Sequence, residues 1–183
     1  MNEFIKASKN EREQIKKSNL ICIVNEKLSK KGYQYLSHFI TDDMGMDKYD
    51  LSICYQGEDK SYLRVYIEVK VRHNQYEDYF LQKDKIESIE KAAKFIGGKY
   101  LILYVNYCLD GTYIWDLRDM SKFKLDKRSC KKYTSVSNVT YVNKKVYMLP
   151  KTEAKYISYV HNSEDDNYYV KSNGVELGKD IEL

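Results

Sequence analysis

A chain of 183 residues, 43% hydrophobic and 32% charged, has the composition of one soluble globular domain with enough length to bury a core without covalent staples. Its net charge of +4 is modest, which excludes a partner choice based on overall charge alone, and it hides a basic segment and an acidic tail. No apolar run reaches membrane length, and the scattered Cys22, Cys54, Cys108 and Cys130 form no Cys-x-x-Cys pair, which argues against a membrane partner, a disulfide framework and structural zinc.

The start Met1-Asn2-Glu3-Phe4-Ile5-Lys6 has no signal-peptide pattern, so a reducing cytoplasmic location is the expectation. His38, His73 and His161 are isolated from one another. Nineteen tyrosines against one proline point to a strand-rich fold.

In chain order, Ser8 with Glu11 three residues on predicts a capping box and a helix from Ser8 to about Lys31, where Gly32 supplies the stop. Leu20, Val24 and Leu28 form its apolar stripe, broadened by Ile21 and Cys22. Traced back in steps of four and three, the stripe passes Lys17 and arrives at Glu13, at the N-terminal end of the buried face. A first-turn acid favoured by the helix dipole is the plainer account of Glu13.

Tyr33 to Thr41 predicts a strand, followed by an acidic, glycine-containing loop from Thr41 to Lys48. Asp50 closes that loop and opens a second strand, Leu51 to Tyr55, on the side opposite Leu51 and Ile53. A turn over Gln56 to Ser61 makes a hairpin with the next strand, Tyr62 to Arg72. There Leu63, Val65, Ile67, Val69 and Val71 alternate with Tyr62, Arg64, Tyr66, Glu68, Lys70 and Arg72, which gives one dry and one charged face. Taken alone, that charged face is an ordinary solvated one. Hairpin pairing, however, sets Asp50 near Glu68 and Lys70.

A polar connection leads to a helix of roughly Leu81 to Ile96, where Ile86, Ile89, Ala93 and Ile96 recur at helical spacing and Gly97-Gly98 ends it. Lys83 and Lys85 stand in its first turn, where they oppose the helix dipole unless an anion is near. Tyr100 to Tyr107 is an apolar strand, turned by Asp110-Gly111 into Thr112 to Leu117.

From Arg118 to Lys155 eleven Lys and Arg face three acids, a balance of +8. Lys122, Lys124, Lys127, Arg128, Lys131 and Lys132 are interleaved there with Phe123 and Tyr133, a pattern suited to a phosphate backbone with base or sugar contacts, or to a solvated lysine loop. Val139 to Leu149 predicts a strand and Pro150 a short helix to about Val160. The tail from His161 to Leu183 carries six acids against Lys171 and Lys179, with Asn173-Gly174 as a hairpin signal. With no repeat and no linker, the expected organisation is one domain over residues 1–160, its core at about 8–107 and an extension at 108–160, followed by an acidic tail or small hairpin at 161–183.

Helix, strand, a strand opened by Asp50, a strand carrying Glu68-Val69-Lys70, helix, strand: in this order and motif the chain resembles the PD-(D/E)XK nuclease superfamily over about residues 8–107. Tyr49 stands where the motif's proline would be, and Asp47 is a rival for the aspartate role. The resemblance implies an α/β fold with a restriction-endonuclease-like core, a mixed central sheet flanked by helices in the order αβββαβ, and a C-terminal β-rich extension. It implies Mg²⁺- or Mn²⁺-dependent hydrolysis of phosphodiester bonds in DNA, since hard carboxylate oxygens suit such ions. Asp50, Glu68 and the Val69 carbonyl would be metal ligands. Lys70 would orient or deprotonate the water, its pKa lowered by the cation, and Glu13 would hold the metal or its water. Lys83 or Lys85 would hold a phosphate, and Arg72 and the basic segment would add nucleic-acid contacts. A homodimer is compatible with this. The alternative is a non-catalytic nucleic-acid-binding or interaction protein that keeps the fold, of phage or mobile-element origin.

Overall fold

The computed structural model describes residues 3–18, 20–42, 48–72, 76–108, 111–131, 141–162 and 167–170. Two helices come first, α1 (Glu3–Lys17) and α2 (Leu20–Ser29), then strands β1 (Gln34–Ile40), β2 (Leu51–Gln56), β3 (Tyr62–Val71) and β4 (Asp78–Gln82). Helix α3 (Lys83–Ile96) separates these from β5 (Lys99–Cys108), β6 (Gly111–Asp116), β7 (Leu125–Lys131), β8 (Tyr141–Pro150), β9 (Lys155–Asn162) and β10 (Asn167–Val170). The result is a mixed α/β fold whose central mixed sheet is flanked by helices, and the αβββαβ order is present with two additions, a split first helix and β4.

The split falls at Ser18, where one continuous helix was expected. The Ser18 hydroxyl donates to the Ile15 carbonyl (3.2 Å), accepts the Leu20 amide in the manner of an N-cap (3.4 Å), and accepts the Tyr107 hydroxyl from β5 (2.7 Å). Because α1 starts at Glu3, Ser8 and Glu11 lie inside a helix and form no capping box. The expected stop after α2 is present: Gly32 has φ +79°, and its amide and that of Tyr33 bond the Ser29 and Leu28 carbonyls (both 3.0 Å).

The main sheet has the order β1-β2-β3-β5-β6-β9-β10. β2 and β3 pair antiparallel with Leu51 opposite Ile67, whereas β3 and β5 pair parallel, a connection that needs a crossover and finds it in α3. Val65, Ile67 and Val69 of β3 join Leu20, Val24 and Leu28 in a core under α1 and α2. Tyr66 faces the other way, into a second core with Ile86, Ile89 and Ala93 of α3. The charged face of β3 is covered over its middle by α3 and a three-stranded sheet, β4-β8-β7, so that Tyr66 and Glu68 are 1% and 2% exposed, while Tyr62 at its start is exposed. At the outer edge β1 runs with Leu36 and Phe39 exposed.

Two segments expected in other conformations are strand. Asp78–Gln82, placed in a polar connection and a helix start, pairs with β8 from Pro150 to Val146. The helix expected after Pro150 is a single 3₁₀ turn, Lys151–Glu153, and the aromatic and β-branched run that follows becomes β9 on the edge of β6. The Asn173-Gly174 turn, His73, Asp47 and Lys132 lie outside the described residues. No helix among the described residues is long and apolar enough to cross a membrane, and none of the four cysteines forms a disulfide.

Trp115 joins the two sheets. Its ring lies 5.4 Å from Tyr79 of β4 and 5.8 Å from Tyr104 of β5, and its indole N–H donates to the Pro150 carbonyl at the end of β8 (2.9 Å). Trp115→Ala is expected to lower the unfolding free energy by about 3–5 kcal/mol in urea denaturation. Phe95→Ala, at a residue 92% exposed, should change it by less than about 0.5 kcal/mol.

Candidate active site

Asp50 sits at the mouth of β2, and the β2–β3 register fixes it. Its amide bonds the Ile67 carbonyl (3.0 Å), and its carboxylate Oδ2 accepts the Val69 amide (2.7 Å). Across the chain reversal, the Thr41 amide and hydroxyl both donate to the Asp50 carbonyl (3.0 and 3.2 Å). Arg12 of α1 closes this arrangement. Its Nε and Nη2 donate to the Thr41 carbonyl (2.8 Å) and hydroxyl (2.7 Å), and its Nη1 lies 3.3 Å from Asp50 Oδ1. One guanidinium thus ties α1 to the end of β1 and the start of β2, with the planar fork that lysine lacks.

Two residues along β3 from Tyr66, Glu68 turns its carboxylate into the space between β3 and α3. Oε1 pairs with Lys70 Nζ (3.0 Å) and Oε2 with Lys85 Nζ (2.9 Å). Lys70 also donates to the Val69 carbonyl (2.9 Å) and to both oxygens of Glu11 (3.1 and 3.0 Å). Three carboxylates, Glu11, Asp50 and Glu68, therefore meet three cations, Arg12, Lys70 and Lys85.

Burial pushes Asp50 up to about 7, reinforced by the negative charge of Glu68 and opposed by Lys70 and by the Arg12 contact. Burial also raises Glu11, with Lys70 acting against it. For Glu68 burial acts upward as well, but Lys70 and Lys85 outweigh it and hold the carboxyl below its ordinary value. For Lys70 the balance runs upward. Burial alone would lower it, yet Glu68, Glu11 and Asp50 raise it above its ordinary value, because the charges around it are carboxylates.

Glu13, expected at the site, is exposed on α1, and Glu11 occupies the place assigned to it. The stripe of α2 was extended across Ser18, where the helix breaks and its phase is lost. Ile15 is the lone apolar residue between Ser8 and Ser18, and a helix phased on it puts Glu11, four residues earlier, on the inner side. Arg12 and Thr41 carried no motif and were missed.

Lys85 is brought to Glu68, which is the anion its place in the first turn called for. Lys83 instead pairs with Glu87 (2.9 Å) and borders a separate hollow with Lys144 and Lys145. Lys122 lies over the Phe123 ring (5.3 Å), Lys124 and Lys127 are exposed, Arg128 pairs with Asp126 (3.3 Å), and Lys131 ends β7. These residues belong to or border the second sheet, not the carboxylate cluster. That sheet reaches the site through β4: Phe80, Leu81 and Gln82 line a cleft of about 130 Å³ with Glu68, Lys70, Arg72, Lys85 and Tyr104. Gln82 accepts a hydrogen bond from Lys144 (2.8 Å).

Among the described residues, no three Asp, Glu, His or Cys side chains form a ready-made set of metal ligands. No family model matches the chain, and no curated protein matches it. Among solved structures it is similar to Hjc, a Holliday junction resolvase from the archaeal hyperthermophile Archaeoglobus fulgidus, with 14% identity, 74% of this chain and 88% of that chain covered, and a TM-score of 0.38.

Arg12→Ala is expected to destabilise the protein by about 3 kcal/mol, since it leaves Asp50 buried without its guanidinium. Adding Asp50→Asn should recover part of that loss, whereas Glu13→Ala should change stability by less than about 0.5 kcal/mol. Urea denaturation of the single and double variants reads all three effects.

Proposed function

We propose that this protein is a divalent-cation-dependent nuclease that hydrolyses phosphodiester bonds in DNA. The observation that carries this is the gathering of Glu11, Asp50 and Glu68 around Lys70 at the end of β3, beside a cleft lined with further cations. Glu11, Glu68 and the Val69 carbonyl already direct four oxygens at one positive charge, the Lys70 ammonium. Such hard oxygen donors fit Mg²⁺ or Mn²⁺. Asp50, Glu68 and Val69, with Glu11, would hold the ion, which when bound makes water a nucleophile near neutral pH and offsets charge on the phosphorane-like transition state.

The chain's own residues supply the remainder. Lys70, paired with Glu11 and Glu68, orients or helps deprotonate the attacking water and offsets negative charge. Lys85 and Arg72, both lining the cleft, bind the substrate phosphates. Arg12 and Thr41 hold Asp50 in position without facing substrate. The basic residues Lys122, Lys124, Lys127, Arg128, Lys131 and Lys132 extend the contact to the DNA backbone. We take residues 1–160 as the nuclease domain, acting in the cytoplasm as a monomer or homodimer, with residues 161–183 as an acidic appendage.

A second reading, a DNA-binding module that does not cleave, is favoured by one observation: Arg12, Lys70 and Lys85 already balance the three carboxylates.

Incubation of the protein with plasmid and linear DNA in Mg²⁺ or Mn²⁺ decides between them. Cleavage is expected, with Asp50→Asn, Glu68→Gln, Glu11→Gln and Lys70→Ala each losing at least about 100-fold in rate and Glu13→Gln retaining the wild-type rate. Salt-sensitive binding without cleavage in either metal would establish the second reading. Cleavage undiminished in Asp50→Asn and Lys70→Ala would remove the first.

A further inference from the structure

We propose that a hollow beside the cleft, where the exposed rings of Tyr76 and Phe80 stand by the buried Tyr79, is a stacking subsite for an unpaired nucleotide, and hence that the substrate is DNA with a single-stranded segment at the cleavage position. This rests on the nuclease reading and names its substrate class.

Two hollows, of about 130 and 200 Å³, share Arg72 and Phe80 and therefore adjoin. Their walls differ in chemistry. The first sets Glu68, Lys70 and Lys85 beside Phe80, Leu81 and Tyr104, whereas the second has Tyr76, Tyr79 and Phe80 with Asp78 and, apart from the shared Arg72, no cation. An aspartate there repels a phosphate but accepts the amino group of a base, so charge sorts the two halves of a nucleotide: phosphate to the first hollow, base to the second.

The aromatic wall is exposed where its neighbours are not. Phe80 is 37% exposed and Tyr76 48%, although Tyr79, Tyr104, Tyr113 and Trp115 close by are all buried. On β4 the alternation buries Tyr79 and Leu81, although Leu81 also borders the cleft, and leaves Phe80 and Gln82 on the more open side. Core packing accounts for Tyr79 and Leu81, but not for an apolar ring at the cleft-facing position. Tyr76 stands edge-on to Tyr79 with centroids 5.8 Å apart, which orients its ring.

Arg72 marks the boundary between the hollows. The Arg72 guanidinium donates to the Tyr104 hydroxyl, which in turn donates to the Phe80 carbonyl (3.5 Å). A guanidinium so placed reaches a phosphate on one side and the face of a base or sugar on the other. A base pair within a duplex offers only its edges, since its faces are covered by adjacent pairs. Aromatic faces set beside a phosphate site therefore fit a base that has left the stack.

The test uses the full chain without divalent cation, so that binding is read apart from cleavage. The probes are a short single-stranded oligodeoxynucleotide carrying 2-aminopurine, whose emission is quenched on stacking, and a blunt duplex of the same sequence. The wild-type protein is expected to quench the single strand and bind it more tightly than the duplex. Tyr76→Leu and Phe80→Leu, which keep an apolar side chain and so the fold, should weaken single-strand binding by about 5- to 100-fold and abolish the quench, with duplex binding unchanged. Tyr76→Phe should behave as wild type. Thermal unfolding confirms that the Leu variants are folded. Leu variants that bind and quench like the wild type, or that lose single-strand and duplex binding equally, would overturn the proposal. Stacking by a protein that never cleaves DNA would sink the nuclease reading alone, and cleavage without stacking would sink this one alone.

Discussion

Carboxylates at the covered end of a sheet require cations, and this requirement organises the molecule. Glu11, Asp50 and Glu68 come from α1, the mouth of β2 and the middle of β3, and their partners Arg12, Lys70 and Lys85 come from α1, β3 and α3. Helices on opposite faces of the sheet are thus fastened at one point. Breaking any one of these pairs leaves a charge in low dielectric, a larger penalty than the pair's own attraction would suggest. Since Arg12, Lys70, Lys85 and Arg72 already stand about these carboxylates, an added doubly charged cation would bring surplus positive charge that a phosphate offsets. On the nuclease reading, metal and substrate would therefore support each other's binding.

Much of this could be read from the chain where the cause is local. The β2–β3 hairpin, the placement of Asp50 beside the Glu68–Lys70 stretch, the α3 stripe of Ile86, Ile89 and Ala93 with its glycine stop, and the antiparallel pairing of β5 with β6 all follow from period and turn residues within short windows, whereas Ile96, expected in that stripe, is exposed. The features that escaped have distant causes. The Ser18 break is stabilised by Tyr107, 89 residues away. Strand β4 is five residues long and takes its edge from β8, more than 60 residues later. Alternation correctly put Glu68 on the face opposite Ile67, but no local pattern could announce that α3 and a second sheet would cover that face. The same gap explains Glu13: the helical step was right within α2, and the error lay in carrying it across a break whose origin is tertiary.

The second sheet has two roles that its basic composition alone did not suggest. Through Trp115, Tyr79 and Pro150 it closes the second core. Through Phe80 and Gln82 it also builds one wall of the cleft. Lys127, Arg128 and Lys131 belong to β7 and Lys144 and Lys145 to β8, whereas β4, the strand of this sheet that lines the cleft, has Asp78 as its one charged residue.

Helix α1 carries both Glu11 and Arg12, yet among its described side chains only Ile15 enters the apolar core, whereas α2 contributes Leu20, Val24 and Leu28. The hinge at Ser18 separates the two helices. Among the described side chains, α1 is held by polar contacts and one aliphatic anchor, and a segment with few buried apolar contacts opens at a lower free energy than the body it docks on. Loss of the ordered site and collapse of the fold are then separate events on heating, with the first at the lower temperature, and amides of α1 would exchange with solvent well before those of β3.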